Sequence, residues 1–522
     1  MCRFATVAGL MALLAPPLVF SQLKDKAITT APGKAGDLLR QWWEEGTAAG
    51  NVGDFYDNRD SGHSDLDMSV YPQLQKFVYS AEDIEKRRHW AAPFMVRPGV
   101  VFGNSSTSAP PAEGGSNPRI YYTQPAGIAF LYRQYIANNL YIFPEHRDHD
   151  PGHNGPDEGF GDLYPTNTPY LIISQGSSGS DQPFMRALPL TLAAFRPEVK
   201  KKLAATGLLM PTVQMLMRST NAHVQGPGGY LTAQAHPTVF EGNWVNDLGL
   251  VQAAHALHVG NLPPMVQLKV LEEDEPVLGK DFFEAAGTER LADTPAVIAR
   301  IVRGKDYRRR LVVSAERSFD LNKKPLSFTW VVLRGDNDKI RIIPRNKDLS
   351  TVEIIVPYHD RRPVAEGSSL ESNRVDIGVF AHNGTYYSAP GFITLFSLDN
   401  EARTYDAQGR IVEIGYGMGE TRVTVANWQA FFEAVTKEMP GTQYFPIPKE
   451  ARELFAAALP RLSALQRKGT PKQIQDFLNE HGPTGSLRAV ADDHLRRAVE
   501  DMGLVPRFWN EQTKNQYPYP DI

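Results

Sequence analysis

The chain has 522 residues, a formal net charge of −4, and 42% hydrophobic and 22% charged residues. This length is too great for one ordinary hydrophobic core, so two or three domains are expected. The small negative charge provides no basic surface for nucleic acid, and no block of lysine or arginine favours attachment to a membrane surface.

The first residues have the composition of a secretory signal peptide. Arg3 provides a positive start, residues 5–20 form an apolar run, and Ser21 lies at an acceptable cleavage site. An uncleaved anchor is the alternative, because this run is marginal against the roughly 20 residues of a membrane span. Cys2 is the only cysteine, so no disulfide is expected in the mature chain. We predict a signal peptide at residues 1–21 and a secreted or periplasmic protein without a membrane span after cleavage.

Residues 22–260 predict a mixed α/β domain with long loops. Apolar residues at helical spacing, Pro in first turns and Gly after last turns define its helices, and short apolar runs define its strands. The predicted helices are 36–45, 126–138, 197–205 and 211–218, another helix starts after residue 181, and the predicted strands are 140–143 and 170–173.

An acidic loop follows the first predicted helix. Its acidic, amide and imidazole side chains are Asp54, Asp57, Asn58, Asp60, His63, Asp65 and Asp67. Clustered oxygen ligands suit calcium, although the spacing is not that of an EF-hand. Such side chains also bond their own backbone in turns, so a calcium site and a polar loop beside a cleft both stay open.

Residues 145–186 contain the densest group of ionisable side chains. Glu145, His146, His149 and His153 combine carboxylate and imidazole, which suit zinc or another divalent ion. The prolines and glycines around them exclude a helix, so this segment is a loop. We predict one divalent metal ion, zinc or calcium, on these four residues, with a salt-bridged loop as the alternative.

A Gly/Ser turn at residues 176–180 lies between a predicted strand and a predicted helix. This setting resembles a nucleophile elbow, and Ser177 with Gly179 matches half of the G-x-S-x-G pattern. Alternatively, Ser178 and Asp181 form a capping box, or the turn holds an anion at the helix N-terminus. The predicted catalytic residues are His149, Ser177, Asp181 and His236.

A third interpretation is carbohydrate chemistry. Two carboxylates that flank a sugar bond suffice for its hydrolysis, and candidate acids are Asp157, Glu158, Asp162 and Glu241. Aromatic rings bind sugars by stacking. The predicted substrate-binding residues are Tyr164, Tyr170 and Trp244.

From residue 261 the chain contains seven short strand-like runs, which favour a β-sandwich. Asn383-Gly384 predicts a two-residue hairpin turn. Residues 318–322 (SFDLN), 326–330 (LSFTW) and Gly335-Asp336 resemble the PKD-type immunoglobulin-like domain. The resemblance implies a sandwich over residues 261–416 with Trp330 buried in the core. A predicted helix near residues 294–302 belongs to an insertion that departs from this family.

Residues 417–522 show apolar stripes at helical spacing and predict a C-terminal helical region. The predicted fold class is therefore multidomain α+β: an N-terminal mixed α/β domain, a PKD-like β-sandwich and a C-terminal helical segment. The predicted function is a secreted or periplasmic hydrolase acting on an extracellular polymer, with polysaccharide favoured over a small-molecule substrate. The alternative is a non-catalytic envelope protein that binds glycan or protein, and the sequence leaves the oligomeric state open.

Overall fold

The fold is mixed α+β, as predicted. The computed structural model describes residues 28–59, 64–85, 96–105, 125–145, 166–176, 179–276, 289–363, 371–398, 401–416 and 421–424. The predicted signal peptide lies outside these ranges. None of the described helices is both long and apolar enough to cross a membrane.

A five-stranded sheet, parallel throughout, organises the N-terminal part. Its strands are β1 (Asp54–Arg59), β2 (Gln75–Lys76), β3 (Val100–Ser105), β4 (Asn139–Pro144) and β5 (Ile172–Ser174), in the order β2-β1-β3-β4-β5. The residues of β4 and β5 are all buried. Strands covered on both faces are typical of parallel sheets flanked by helices.

The helices of the N-terminal part are α1 (Lys34–Glu44), α2 (Ala81–Glu85), α3 (Pro125–Ile136), α4 (Gln182–Ala194), α5 (Pro197–Ala205), α6 (Leu209–Ser219), α7 (Gly226–Gly229) and α8 (Asp247–Ala256), with 3₁₀ turns at Ala233–Ala235 and Gly242–Trp244. Helix α4 packs on β3, α1 and α8, whereas α3 packs on β4 and α6. Gly207 ends α5 with a φ of 70°, the left-handed conformation that favours glycine after a helix.

The order of the parallel strands reverses between β1 and β3. The chain passes from β1 outward to β2, then returns to the other side of β1 for β3, β4 and β5. In sheets wound in this way, the connections on either side of the reversal diverge and leave a crevice at the carboxyl ends of the strands. The reversal in this sheet lies beside the ends of β1 and β3, where such a crevice is expected.

Two facing sheets follow. The first contains β7 (Arg290–Thr294), β8 (Val297–Val302), β10 (Ser327–Arg334), β15 (Val375–His382) and β16 (Gly391–Ser397); the second contains β6 (Lys269–Glu273), β9 (Arg308–Ser314), β11 (Arg341–Pro344) and β12 (Thr351–Pro357). A core of alternate residues, such as Val313, Ile354 and Ile377, fills the space between them. The helix predicted near residues 294–302 was wrong. Residues 297–302 are β8, paired with β16 in parallel and β7 in antiparallel, because tertiary pairing overrides the local helical pattern.

The outer face of the first sheet packs on the N-terminal part. Along β15, Ile377 and Val379 belong to the core between the two sheets, whereas Phe380 joins the core of the N-terminal part. Hydrogen bonds cross this boundary: the Tyr170 and Thr294 hydroxyls are 2.5 Å apart, the Tyr230 hydroxyl donates to the Ser388 carbonyl at 2.8 Å, and Arg374 Nη2 donates to the Thr238 hydroxyl at 2.5 Å. The two parts therefore share one apolar core.

The turn after β15 differs from the predicted two-residue hairpin. A bridge between His382 and Tyr387 closes a four-residue turn, and Gly384 has a φ of 87° whereas Asn383 does not have positive φ. The amide of Asn383 is buried instead, and its Nδ2 donates to Leu262 O and Asp320 Oδ2, each at 2.7 Å. Asn383 thus ties the turn to the start of the sandwich.

Trp330 does not occupy the centre of the sandwich core. The side chain is half-buried, packs against the margin of the core, and donates from Nε1 to Leu349 O at 2.8 Å. It lies on β10, an edge strand of the first sheet, so one side of its ring has no neighbouring strand. The prediction of a fully buried Trp330 was wrong.

The remaining strands form small separate sheets. β13 (Arg362–Pro363) pairs with β14 (Glu371–Ser372), and β17 (Glu401–Tyr405), β18 (Ile411–Tyr416) and β19 (Thr421–Thr424) form an antiparallel sheet. Because β19 is a strand, the predicted helical region does not begin at residue 417. The rest of that region lies outside the described residues.

Candidate functional site

Polar side chains collect at the carboxyl edge of the parallel sheet, where its strand order reverses. Strand β1 ends with Asp57 and Arg59, and β3 ends with Asn104 and Ser105. The edge also includes Glu145 after β4, Ser174 at the end of β5 and Asp181 before α4; all seven residues are buried. Ligands of doubly wound sheets bind outside this edge, so these residues are the candidate site.

Asp57 is the most completely bonded member of this group. Its Oδ2 accepts from Arg59 Nε at 2.6 Å and from the Tyr141 hydroxyl at 2.7 Å, and its Oδ1 accepts from the Tyr79 hydroxyl at 2.5 Å. The Arg59 guanidinium also lies 4.2 Å from the Tyr141 ring centre. With both oxygens engaged and the charge paired, Asp57 is suited to holding the edge in shape.

Glycine at position 103 permits this arrangement. A Cβ atom built there would lie 2.0 Å from the Asp57 carbonyl oxygen and 3.0 Å from the Tyr141 ring. No other residue fits, so β3 can approach β1 closely beside the crevice.

A chain of hydrogen bonds fixes the Asn104 amide. The Tyr56 hydroxyl accepts from Leu66 N at 3.0 Å, which leaves its own proton for Asn104 Oδ1 at 3.2 Å. The Asn104 Nδ2 must then face the other way, where it donates to Asp181 Oδ2 at 3.1 Å. Asn104 is fully buried, so a flipped amide would break both bonds.

Asp181 is fully buried at the start of α4. Among the described residues, Oδ1 meets no partner in hydrogen-bond geometry. Burial raises the pKa of the Asp181 carboxyl, and the nearby Ser64 hydroxyl and Asn104 amide oppose that rise. Its side chain makes no hydrogen bond that caps α4, and Ser178, its partner in the alternative capping box, lies outside the described residues.

Glu145 is the second carboxylate at this edge, and a short series of contacts joins it to Asp181. Its backbone N–H donates to Ser174 O at 2.8 Å, and the Ser174 hydroxyl lies 2.9 Å from the hydroxyl of Ser180, the neighbour of Asp181. Gly179 N donates to the Ser64 hydroxyl at 2.9 Å. These bonds hold the turn before α4 against the ends of β4 and β5.

This arrangement is able to transfer protons. A carboxyl whose pKa is raised by burial holds its proton closer to neutral pH, and a free oxygen gives that proton a path to a ligand. A second carboxylate at the same edge provides the partner for general acid–base chemistry.

Five predicted site residues cannot be compared with this geometry. His146, His149, His153, Tyr164 and Ser177 lie outside the described residues, so the predicted metal site and serine nucleophile stay predictions. Glu145 and Asp181, by contrast, lie together at the carboxyl edge.

Tyr170 and His236 lie at the boundary with the sandwich instead. Tyr170 is fully buried against the Tyr132 and Tyr135 rings, so its ring has no face for a substrate, and its predicted substrate-binding function was wrong. His236 packs against Phe380, 4.9 Å between ring centres.

The predicted catalytic function of His236 was also wrong, because its surroundings keep it neutral and enclosed. Burial and the Arg218 guanidinium hold the pKa of the imidazole well below its usual value. Its Nε2 bonds the Tyr230 carbonyl. Trp244, the second described aromatic candidate, is half-buried with its ring centre 4.6 Å from that of His223.

Asp54, Asp65 and Asp67 of the acidic loop each have a structural bonding partner. Asp54 lies at the opposite, amino edge of the sheet, where its Oδ2 accepts from Lys200 Nζ at 2.7 Å and burial raises the pKa of its carboxyl to about 6. Asp67 accepts from Ser69 in a turn, and Asp65 pairs with Lys76 at 2.7 Å. No group of three or more acidic, His or Cys side chains among the described residues is placed to hold a metal ion.

Comparisons with known proteins do not assign the chain to a family. No family model matches it, and no curated protein is significantly similar. Among solved structures, a nucleoside hydrolase-related hypothetical protein from Saccharophagus degradans that is associated with carbohydrate metabolism is similar at 9% identity. The match covers 59% of this chain and 74% of that chain with a TM-score of 0.19, so it carries no argument about this protein.

Proposed function

We propose that the carboxyl edge of the parallel sheet is the active site of a hydrolase, in which Asp181 transfers protons and Glu145 is the second carboxylate. The observation that carries this proposal is the state of Asp181. It is fully buried, Asn104 donates to its Oδ2, and its Oδ1 has no described partner in full hydrogen-bond geometry, although the Ser64 hydroxyl and the Gln182 backbone N–H stabilise the charged form from nearby.

Glycosidic bonds are the substrate class that this pair of groups supports best. Their hydrolysis needs one carboxyl that gives a proton to the leaving oxygen and one carboxylate that activates water or attacks the sugar carbon. Asp181, with its raised pKa, is suited to the first task. Glu145, buried at the same edge, is the candidate for the second, so an oligosaccharide or polysaccharide is the proposed substrate.

Two substitutions that replace a carboxylate by an amide test the proposed functions of Asp181 and Glu145. Asp181→Asn and Glu145→Gln keep the shape of each side chain but remove its proton chemistry, so each should reduce kcat at least about 100-fold. Asp37→Asn is the matched control, because Asp37 is an exposed residue of α1. Turnover is measured on a panel of polysaccharides, aryl glycosides, peptides and esters, with and without a chelator, and folding is checked by Tm.

The panel also separates the proposal from the binding alternative. Glycan binding without turnover, unaffected by Asp181→Asn, would favour a non-catalytic protein. Turnover of peptides or esters that survives in Asp181→Asn would move the active site elsewhere. Turnover lost on chelation would support the proposed divalent ion, and elemental analysis of the protein with His149→Ala as the comparison would place it.

We further propose that the protein is exported and that its sandwich is a PKD-like structural module. Export is supported by the composition of residues 1–21, and a mature N-terminus near residue 22, read by mass spectrometry, would establish cleavage. The module is supported by Asp320, whose Oδ1 accepts from Asn322 N at 2.7 Å and Lys324 N at 3.1 Å. Its Asp/Asn-rich turn thus has a structural explanation.

A further inference from the structure

A small cavity lies at one end of the sandwich, between its two sheets. The cavity volume is about 20 Å³. This volume holds one water molecule or one monatomic ion, and it is too small for an organic ligand. The polar residues that line it are Asp306, Tyr307, Arg309, Tyr358, His359, Asn373, Ser397 and Arg403.

Two of the lining residues have donors without acceptors. Asn373 is buried, and its Oδ1 accepts from Ser397 N at 3.1 Å, so the amide orientation is fixed and the unbonded atom is Nδ2. Arg309 is buried as well, and its Nη2 pairs with Glu289, while its Nε meets no acceptor among the described residues. Buried donors of this kind are rare unless an ion or water completes them.

Neighbouring lining groups do not supply the missing acceptor. His359 uses both nitrogens, since Nε2 accepts from Asp336 N at 3.0 Å and Nδ1 lies 2.7 Å from Pro357 O. The Asp306 carboxylate is 73% exposed and lies 3.7 Å from Lys305 Nζ. The cavity therefore lacks a hydrogen-bond acceptor. This acceptor must be small enough for the cavity and must lie beside the Arg309 guanidinium.

We propose that this cavity is a binding site for a monatomic anion, chloride under ordinary conditions, held by Arg309 Nε and Asn373 Nδ2. A cation is excluded because both free groups are donors, one of them positively charged. Polyatomic anions are excluded by size. The site lies in the sandwich and is independent of the proposed hydrolase activity.

Halide-dependent stability of the full-length protein tests this proposal. Chloride and bromide should raise Tm by roughly 2 °C or more over gluconate at equal ionic strength, with saturation, because a ligand that binds only the folded state stabilises it. Asn373→Asp keeps the acceptor for Ser397 N and places a carboxylate beside Arg309, so its Tm should no longer depend on the halide. Asn243→Asp, at an exposed position, should behave like the unmodified protein.

Equal Tm values in chloride and gluconate would overturn the proposal in favour of a buried water. Retention of the full halide effect in Asn373→Asp would do the same. A crystal grown or soaked in bromide gives a result even if Asn373→Asp does not fold. It should show an anomalous peak within about 3.5 Å of Arg309 Nε and Asn373 Nδ2, and a cavity without that peak would end the anion assignment.

Discussion

At the scale of single residues, the proton affinity of Asp181 depends on opposing surroundings. Burial favours its neutral form, whereas the Asn104 amide stabilises its charged form by donating to Oδ2. Asn104 is itself oriented by Tyr56. The Tyr56–Asn104–Asp181 series therefore sets both the direction of the free oxygen and the pH at which it titrates.

Asn104→Asp should shift the pH dependence of the proposed activity. The change removes the donor and adds a second carboxyl beside Asp181, and two adjacent carboxylates do not ionise together easily. The apparent pKa values in the pH profile of kcat should rise by about one pH unit or more. This profile is measured on the substrate identified among the polysaccharides, aryl glycosides, peptides and esters. Asn243→Asp, at an exposed position, should leave the profile unchanged. A profile that falls without shifting would mean that Asn104 is only structural.

The residues of this site differ in how visible they are in a sequence. Glu145 and Asp181 stand out because each belongs to a loop rich in polar side chains next to an apolar run. Asn104 and Tyr141 do not, since their functions depend on contacts across 77 and 84 positions, with Asp181 and Asp57. The sequence does contain one signal for this site. A parallel sheet places the last residues of its strands at a common edge, so polar residues at the ends of predicted strands indicate a shared polar site.

At the scale of secondary-structure elements, predictions succeeded where a local sequence signal exists. Pro197 and Gly207 bound α5 by purely local rules, and the predicted range 197–205 is confirmed. Strand β1 (Asp54–Arg59) was missed, because its sequence DFYDNR has the polar composition of a turn. Its inward residues are buried by pairing with β2 and β3, which no local pattern contains.

The half-buried position of Trp330 gives a specific stability prediction. Trp330→Ala should reduce the free energy of unfolding by about 2 kcal/mol, less than the 3–5 kcal/mol typical of a fully buried aromatic side chain. Ile377→Ala, at a fully buried core position of β15, should cost about 2–5 kcal/mol and at least as much as Trp330→Ala. Chemical denaturation of both variants measures this, and a larger loss for Trp330→Ala would contradict the edge-strand position.

At the scale of the whole molecule, the boundary between the parallel-sheet part and the sandwich should be sensitive to acid. His236 lies in that boundary, and its pKa is lowered by burial and by Arg218. Below about pH 6.5 the unfolded chain binds a proton that the folded protein excludes, so stability falls by up to about 1.4 kcal/mol per pH unit. Above that pH the imidazole is neutral in both states and the effect vanishes.

His236→Gln removes this titration and should flatten the decline of Tm between pH 6.5 and pH 5 by about half or more, on the linkage argument. His255 and His359, whose pKa values are also lowered by burial, account for part of the remaining slope. His223→Gln is the control at an exposed histidine. Equal slopes for both variants would show that His236 does not govern the acid response.

The shared core also determines how the sandwich behaves alone. Residues 264–416 contain the whole core between the two sheets, so the fragment is expected to fold. Its first sheet would then expose apolar side chains that the N-terminal part normally covers, among them Leu291, Val297 and Phe380. An uncovered apolar face of this kind drives association, and we expect the isolated fragment to be β-rich but oligomeric in analytical ultracentrifugation.

Two neighbouring substitutions on β15 distinguish that face from the internal core. Phe380→Glu should make the fragment monomeric and leave it folded, because in the fragment this side chain faces solvent. Val379→Glu should unfold it, because Val379 points between the two sheets and a buried unpaired charge is strongly destabilising. In the full-length protein both substitutions should destabilise, since both side chains are fully buried there. A monomeric unmodified fragment would show that the sandwich does not need its neighbour to cover this face.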